Sequence, residues 1–252
     1  MRQRRRHLLT ALSAALSAAL ASPGGFAQAS SWKVFGSDRY EPLLYLKDGQ
    51  PAGTLAEILL ASQRHSGDRF ALELVIWQRA LRLAEAGEGG LLGVSRNRER
   101  ETWLDFSRPI HEDSLLLLVR KGEAFRFRSL ADLEGKRIGM ALGTTGGDAF
   151  DEAERSGRLQ VIRDQGAPRR LQALLAGRMD AAVVGGGRAS LERVISRLPD
   201  PQAARNGLEL IDNPLLRDRL HLAFPKRLGA GAVLERFNSA LLALRLAPAG
   251  AG

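Results

Sequence analysis

Apolar positions recur along the chain with two alternating periods, and that alternation sets the fold class. Residues 32–35 read as an edge or opening strand, and 70–76 alternate apolar with other residues as a half-buried strand does. Between them Leu55, Ile58, Leu59 and Ser62 fall at helical spacing, which predicts a helix over 54–65. A second helix is predicted over 79–85, stopped by Gly87 and the pair Gly89-Gly90. Residues 91–94 form a short apolar strand, 95–108 a polar stretch, and 115–120 a continuous apolar strand suited to a buried position. The segment 38–42 reads as a loop and Asp48-Gly49 as a turn.

The second half repeats the alternation. A short helix over 130–136 ends at Gly135, and 137–141 is a strand. The loop Gly143-Thr144-Thr145-Gly146-Gly147 opens a helix from about 148 to 156. Strands at 160–163 and 179–184 flank a helix over 169–176 capped by Gly177, and a further helix covers 188–198. One more strand at 220–225 and a helical pattern over 233–246 precede a short Pro/Gly/Ala tail, expected to fray. Strands alternating with helices imply helices packed on a mostly parallel sheet, an α/β fold.

The first residues change the picture. Arg2, Arg4, Arg5 and Arg6 precede an Ala/Leu/Ser run over 8–20 that carries no charge. Pro23-Gly24-Gly25 and the small-residue sequence Ala27-Gln28-Ala29 follow. That order is the tripartite export signal, and cleavage is expected after Ala29. Arg5-Arg6 also allows a twin-arginine signal, although the general secretory route is the commoner one. Setting the four signal arginines aside, 37 basic residues become 33 against 28 acidic ones, so the surplus falls from +9 to +5. The basic residues are scattered among acids rather than clustered in a stripe, which argues against a nucleic-acid surface. The chain has no cysteine, which excludes disulfides, cysteine-held zinc, thiol nucleophiles and a lipidated N-terminal cysteine. His7, His65, His111 and His221 are far apart and pair in no metal-binding spacing. No G-x-S-x-G elbow occurs, and the 143–147 loop lacks the lysine of a phosphate-binding loop. No cofactor or metal is expected.

Three stretches carry a resemblance. Ser95-Arg96-Asn97-Arg98-Glu99-Arg100 is followed by Asp105-Phe106-Ser107-Arg108-Pro109-Ile110. Leu130, Leu133, Gly135, Lys136, Ile138 and Gly139 lead into Gly143-Thr144-Thr145. Leu174 precedes Gly177-Arg178-Met179-Asp180-Ala181. In order and spacing they resemble the bacterial extracellular solute-binding proteins of family 3, the polar amino-acid type of periplasmic receptor. The resemblance implies a type II periplasmic binding protein fold: two α/β lobes, each a mostly parallel sheet flanked by helices, joined by two crossing strands. The expected layout is a signal peptide at 1–29, lobe one at 30–117 and 218–252, and lobe two at 118–217. It also implies a periplasmic monomer that binds a small carboxylate-bearing solute and delivers it to the membrane permease of an ABC transporter.

The same resemblance places the ligand contacts. Arg100 stands where relatives hold the arginine that clamps a carboxylate, a task suited to its planar two-pronged donor. Ser95 stands at the family's hydroxyl position. Thr144 and Thr145 sit at a predicted helix start, where unpaired backbone N–H groups favour an anion, and Thr145 aligns with the contact residue. Tyr40 and Asp38 match an opening loop that touches ligand, and Trp77 lies near a cleft aromatic, with Arg79 beside it as an alternative cation. One departure stands out: Gly185 occupies the position where amino-acid receptors carry the acid for the ligand's α-ammonium. Either another acid serves, with Asp38, Glu41 and Asp148 as candidates, or the ligand has no α-ammonium. Two other functions stay open, a periplasmic enzyme on this fold such as a cyclohexadienyl-type dehydratase, and a receptor with a degenerate pocket that acts through a protein partner.

Overall fold

The computed structural model describes residues 31–246. The expected export signal and the tail at 247–252 lie outside the described residues. The chain opens with β1 (Ser31–Ser37) and a small antiparallel sheet of β2 (Arg39–Tyr40), β3 (Leu44–Lys47) and β4 (Gln50–Ala52). Then come α1 (Thr54–Ser66), β5 (Arg69–Val75), α2 (Trp77–Glu85), β6 (Gly90–Ser95), α3 (Arg98–Glu101), β7 (Leu104–Phe106) and β8 (His111–Arg120). The second run is β9 (Arg137–Ala141), α4 (Asp148–Arg155), β10 (Gln160–Asp164), α5 (Ala167–Leu175), β11 (Ala181–Val184), α6 (Gly187–Ser196), α7 (Pro201–Gly207) and β12 (Leu208–Leu210). β13 (Leu216–Pro225) and α8 (Gly231–Ala243) close the described chain.

The main sheet runs β10-β9-β11-β8-β13-β6-β1-β5. β5, β1 and β6 are parallel at one end, and β10, β9 and β11 are parallel at the other. Between them β8 and β13 run antiparallel to each other and join the two lobes. The first half of β8 pairs with the first half of β13, from Leu216 opposite Leu115 to Leu220 opposite His111. Each then diverges: β8 continues beside β11 and β12, and β13 continues beside β6 and β7.

Both lobes bury apolar side chains on both faces of their sheet, as parallel strands covered by helices do. In lobe one Val34, Leu92, Leu222 and Phe224 pack under α1 and α8, against Leu55, Leu59, Phe237 and Leu241. On the opposite face Phe35, Leu91 and Val94 pack against Ala80 and Ala84 of α2. In lobe two the alternation is equally strict. Leu117, Val119, Ala181 and Val183 face Phe150 and Ala153 of α4, whereas Leu118, Ala182 and Val184 face Leu171, Leu191 and Ile195 of α5 and α6.

The observed elements follow the predicted ones with differences that have causes. β1 lies between β5 and β6, so β5 takes the edge position. β8 and β13 start at 111 and 216, earlier than the predicted 115 and 220, because their charged first halves are held by each other rather than by core packing. The predicted helix at 130–136 is a single 3-10 turn over Leu130–Leu133. α7 and β12 were not expected, since their sequence is mixed. Asp200 starts α7 by accepting the Ala203 N–H at 2.8 Å, with Pro201 in the first turn.

Candidate ligand-binding site

The site begins where β6 ends. Asn97 caps α3, its side-chain oxygen accepting the Arg100 backbone N–H at 2.9 Å. This tight turn folds the Arg100 side chain back toward the cleft. Its Nη1 donates to the Ser95 carbonyl at 2.8 Å and its Nη2 to the Gly143 carbonyl, in the other lobe, at 2.8 Å. The guanidinium carbon lies 5.9 Å from the ring centroid of Trp77, within reach of a cation–π contact. Arg100 is 6 % exposed, and burial lowers its pKa, an effect opposed by the nearby Asp218 carboxylate. It remains a cation, because an arginine starts so far above neutral pH.

Trp77, the first residue of α2, donates its indole N–H to the same Gly143 carbonyl at 2.8 Å. Gly143 has φ +75, and an added Cβ would stand 2.7 Å from Leu81, so the turn that aims this carbonyl requires glycine. The next two residues face inward, but their hydroxyls are engaged within their own lobe. Thr144 donates to the Ala141 carbonyl at 2.7 Å, and Thr145 donates to Asp151. Asp151 in turn accepts from the Asn97 side chain across the cleft at 3.1 Å. Beside it Asp148 accepts the Arg98 backbone N–H at 2.9 Å. The two lobes therefore touch directly along one rim of the cleft.

Tyr40 and Gly185 meet on the other side. The Tyr40 hydroxyl donates to Asp113 of β8, which also accepts the Gly186 backbone N–H at 2.8 Å. Burial, and then the Asp113 charge, raise the Tyr40 pKa well above its ordinary value, so it stays a donor. Ser95 donates its hydroxyl to Asp218 of β13 at 2.6 Å. Burial pushes the Asp218 pKa up to about 6 despite that hydrogen bond and the Arg100 charge.

A cavity of about 270 Å³ lies among these residues. That is near the lower end of small-molecule sites, roughly 300–1,000 Å³. Its walls include Leu92, Leu115, Met140, Val184 and Leu191. All eight residues singled out from the sequence line it: Arg100, Ser95, Thr145, Thr144, Tyr40, Asp38, Trp77 and Gly185. Among the acids weighed as substitutes for Gly185, only Asp38 lines the cavity. Glu41 is held by Arg197 at 2.7 Å and Arg193 at 3.8 Å, and Asp148 lies with Arg98 outside the cavity. Arg79 is not in the lining. The sequence reading missed Asp113 and Asp218. Their signal was an acid inside each of two strands, at His111-Glu112-Asp113-Ser114 and Arg217-Asp218-Arg219. It also missed the buried pair Arg170–Asp164, 2.7 Å apart, in which Arg170 also donates to the Val183 carbonyl at 2.6 Å.

Residues 33–246 match the family model of the bacterial extracellular solute-binding proteins, family 3. The chain belongs to this family. Its relatives include the L-cystine-binding protein TcyJ of Escherichia coli strain K12, 27% identical over 139 residues, which are 54% of this chain and 52% of that protein. The chain thus matches about half the length of its curated relatives. Solved structures share the fold of this family 3 member. An ancestral arginine-binding protein bound to arginine superposes with a TM-score of 0.68 at 21% identity, covering 85% of this chain and 92% of that one. A histidine kinase sensor domain with similarity to periplasmic binding proteins gives 0.68 at 23%, covering 85% and 90%. The holo arginine-binding protein ArgBP from T. maritima gives 0.67 at 21%, covering 85% and 90%. These likenesses establish a two-lobed type II binding-protein fold. Among the described residues no helix is long and apolar enough to cross a membrane.

Proposed function

We propose that this family 3 protein is a periplasmic receptor for a small carboxylate-bearing solute of the amino-acid class, which it delivers to the permease of an ABC transporter. The observation that carries the reading is Arg100, a buried arginine aimed into the cavity and reaching carbonyls of both lobes. A carboxylate entering there meets a fixed two-pronged donor that is itself buried, where charge-assisted hydrogen bonds are strongest. The names of TcyJ and of the arginine-binding structures support an amino-acid ligand.

In this reading the protein binds without chemistry. Ligand enters an open cleft and is held first by Arg100 and the lobe-one groups Ser95, Asp38, Tyr40 and Trp77. The lobes, assigned as 30–117 with 218–252 and as 118–217, then close by bending at β8 and β13. Closure brings Thr144, Thr145 and Gly185 over the ligand. The closed monomer presents both lobes to the permease.

A thermal-shift screen of residues 30–252 against amino acids, dicarboxylates, cyclic acids and small inorganic anions tests this. A ligand that binds only the folded state raises the melting temperature by mass action. A saturable shift with an amino acid and no turnover supports the receptor. Conversion of a cyclic acid to product would replace it with an enzyme, and no shift across the panel would refute the amino-acid reading.

A further inference from the structure

The cavity is lined by a buried carboxylate, Asp218, that the receptor reading alone does not use. Asp218 is 6 % exposed and lines the cavity. Among the described residues the Ser95 hydroxyl is the one hydrogen-bond donor to its carboxylate. Asp113, 5 % exposed, is its direct partner across the β8–β13 pair. Asp38 lines the same cavity, and its Oδ1 is buried with no donor. The other oxygen of Asp38 lies 3.6 Å from Arg39, and Arg170 and Arg197 of the lining pair with Asp164 and Glu41. Arg100 pairs with none of these acids and instead donates to two backbone carbonyls.

The space beside Gly185 is already taken. An added Cβ there would lie 2.9 Å from Asp113 Oδ2, 3.2 Å from Leu115 and 3.3 Å from the Tyr40 ring. The space that a side chain at 185 needs is already occupied by a carboxylate arriving from β8.

The geometry points to Asp218, backed by Asp113, as the subsite for a cationic group on the ligand, so that the ligand is a zwitterion with its anionic end on Arg100. This rests on the receptor reading above. An isolated carboxylate beside Asp218 would add like charge to a buried site, whereas an adjoining ammonium neutralises it. Asp218 also holds the Ser95 hydroxyl, so an anion cannot use that donor without displacing it. The groups facing Asp218 are Asp113 on β8, Arg100 on α3, Tyr40 on β2 and Ser95 on β6. With the Asp218 pKa raised to about 6, capture of a cation near that pH releases a proton, and affinity falls as the medium is acidified.

The test is calorimetric titration of the wild type and of Asp218→Asn with L-glutamate, L-glutamine and L-cystine. Each is paired with its counterpart lacking the α-amino group, namely glutaric acid, glutaramic acid and 3,3′-dithiodipropionic acid, none of which carries a cation. The expected result is that wild type prefers an amino acid over its counterpart by about tenfold or more. Asp218→Asn is expected to abolish that preference while keeping affinity for the counterpart. A wild type that binds both members of a pair equally overturns the inference and leaves the receptor reading standing. So does a preference that survives in Asp218→Asn. Binding of none of the six refutes the amino-acid reading and the inference with it. Should Asp218→Asn fail to fold, the wild type decides between pH 7.5 and 5. Affinity that falls by up to about tenfold per unit below pH 6, with proton release, supports the subsite; a flat profile overturns it.

Discussion

Asp113 of β8 and Asp218 of β13 stand opposite each other in antiparallel register, so both strands that join the lobes carry a carboxylate at one level. Directly opposed residues of an antiparallel pair project to the same face. Two like charges so placed cost free energy unless one is protonated or a cation intervenes. Each has been given a hydroxyl donor, Tyr40 for Asp113 and Ser95 for Asp218.

Asp218 is therefore expected to withdraw stability from the empty protein as pH rises from 4 to 7. Asp218 goes from the ordinary carboxylate value of 3.8 to about 6 on folding. The native state then binds the proton more tightly than the unfolded chain. That contribution is complete below pH 3.8 and is lost as pH passes through 6, amounting to about 3 kcal/mol. Urea unfolding of wild type and Asp218→Asn across that range isolates it. His221, whose pKa burial lowers, works in the opposite direction in both proteins and cancels in the difference. A difference that does not change with pH contradicts the assignment.

Arg100→Lys is expected to weaken ligand binding by about thirtyfold, roughly 2 kcal/mol, because an ammonium cannot present two parallel donors. Nor can it span the Ser95 and Gly143 carbonyls that the guanidinium bridges. Titration with whichever ligand the thermal screen finds, alongside a melting curve, checks both effects. Unchanged affinity in Arg100→Lys would remove Arg100 from the clamp.

Gly185→Ala is expected to destabilise the protein by about 1–3 kcal/mol through overpacking, since the new methyl would crowd Asp113, Leu115 and Tyr40. Gly185→Asp should be worse, because it brings a second carboxylate against Asp113. Chemical denaturation orders the three proteins. If Gly185→Asp is as stable as wild type and binds amino acids more tightly, Asp113 does not fill that space.

Asn97→Asp separates two roles of one side chain. Its oxygen still caps α3 and holds Arg100 in place, but its amide no longer donates to Asp151 across the cleft. Two carboxylates then face each other on the rim. The expected outcome is an open form with a larger radius of gyration by small-angle scattering, and about tenfold weaker binding. An unchanged radius would show that this rim contact does not favour closure.

Much of this site was legible in the sequence because its residues sit on punctuation. Asn97 and the polar run after an apolar strand mark a strand-to-helix turn, and Gly143-Thr144-Thr145 marks another. Arg100, Ser95, Thr144 and Thr145 lie at those turns and all line the cavity. Trp77 and Tyr40 were harder, since an aromatic next to a strand reads equally as core. Asp113 and Asp218 were not legible. Apolar periodicity locates a strand by what it buries in a core, and the first halves of β8 and β13 bury little apolar surface there. Their charged residues follow no apolar period, and only the pairing of two strands about a hundred residues apart brings the acids together. The same limit hid Arg170 and Asp164, whose partnership depends on how α5 packs over β10 and β11.

The Gly143 carbonyl, shared between the indole of Trp77 and the guanidinium of Arg100, joins the lobes at a chromophore. The chain has three tryptophans. Trp32 packs edge-on against Phe224 at 5.4 Å within lobe one, and Trp103 belongs to the core beside α2. Trp77 alone among them lines the cavity. If the lobes part as proposed, its indole is expected to exchange a protein carbonyl for water and its fluorescence to shift toward longer wavelength, while the other two emit as before. Trp77 would then be a native optical gauge of closure, readable without attaching a dye.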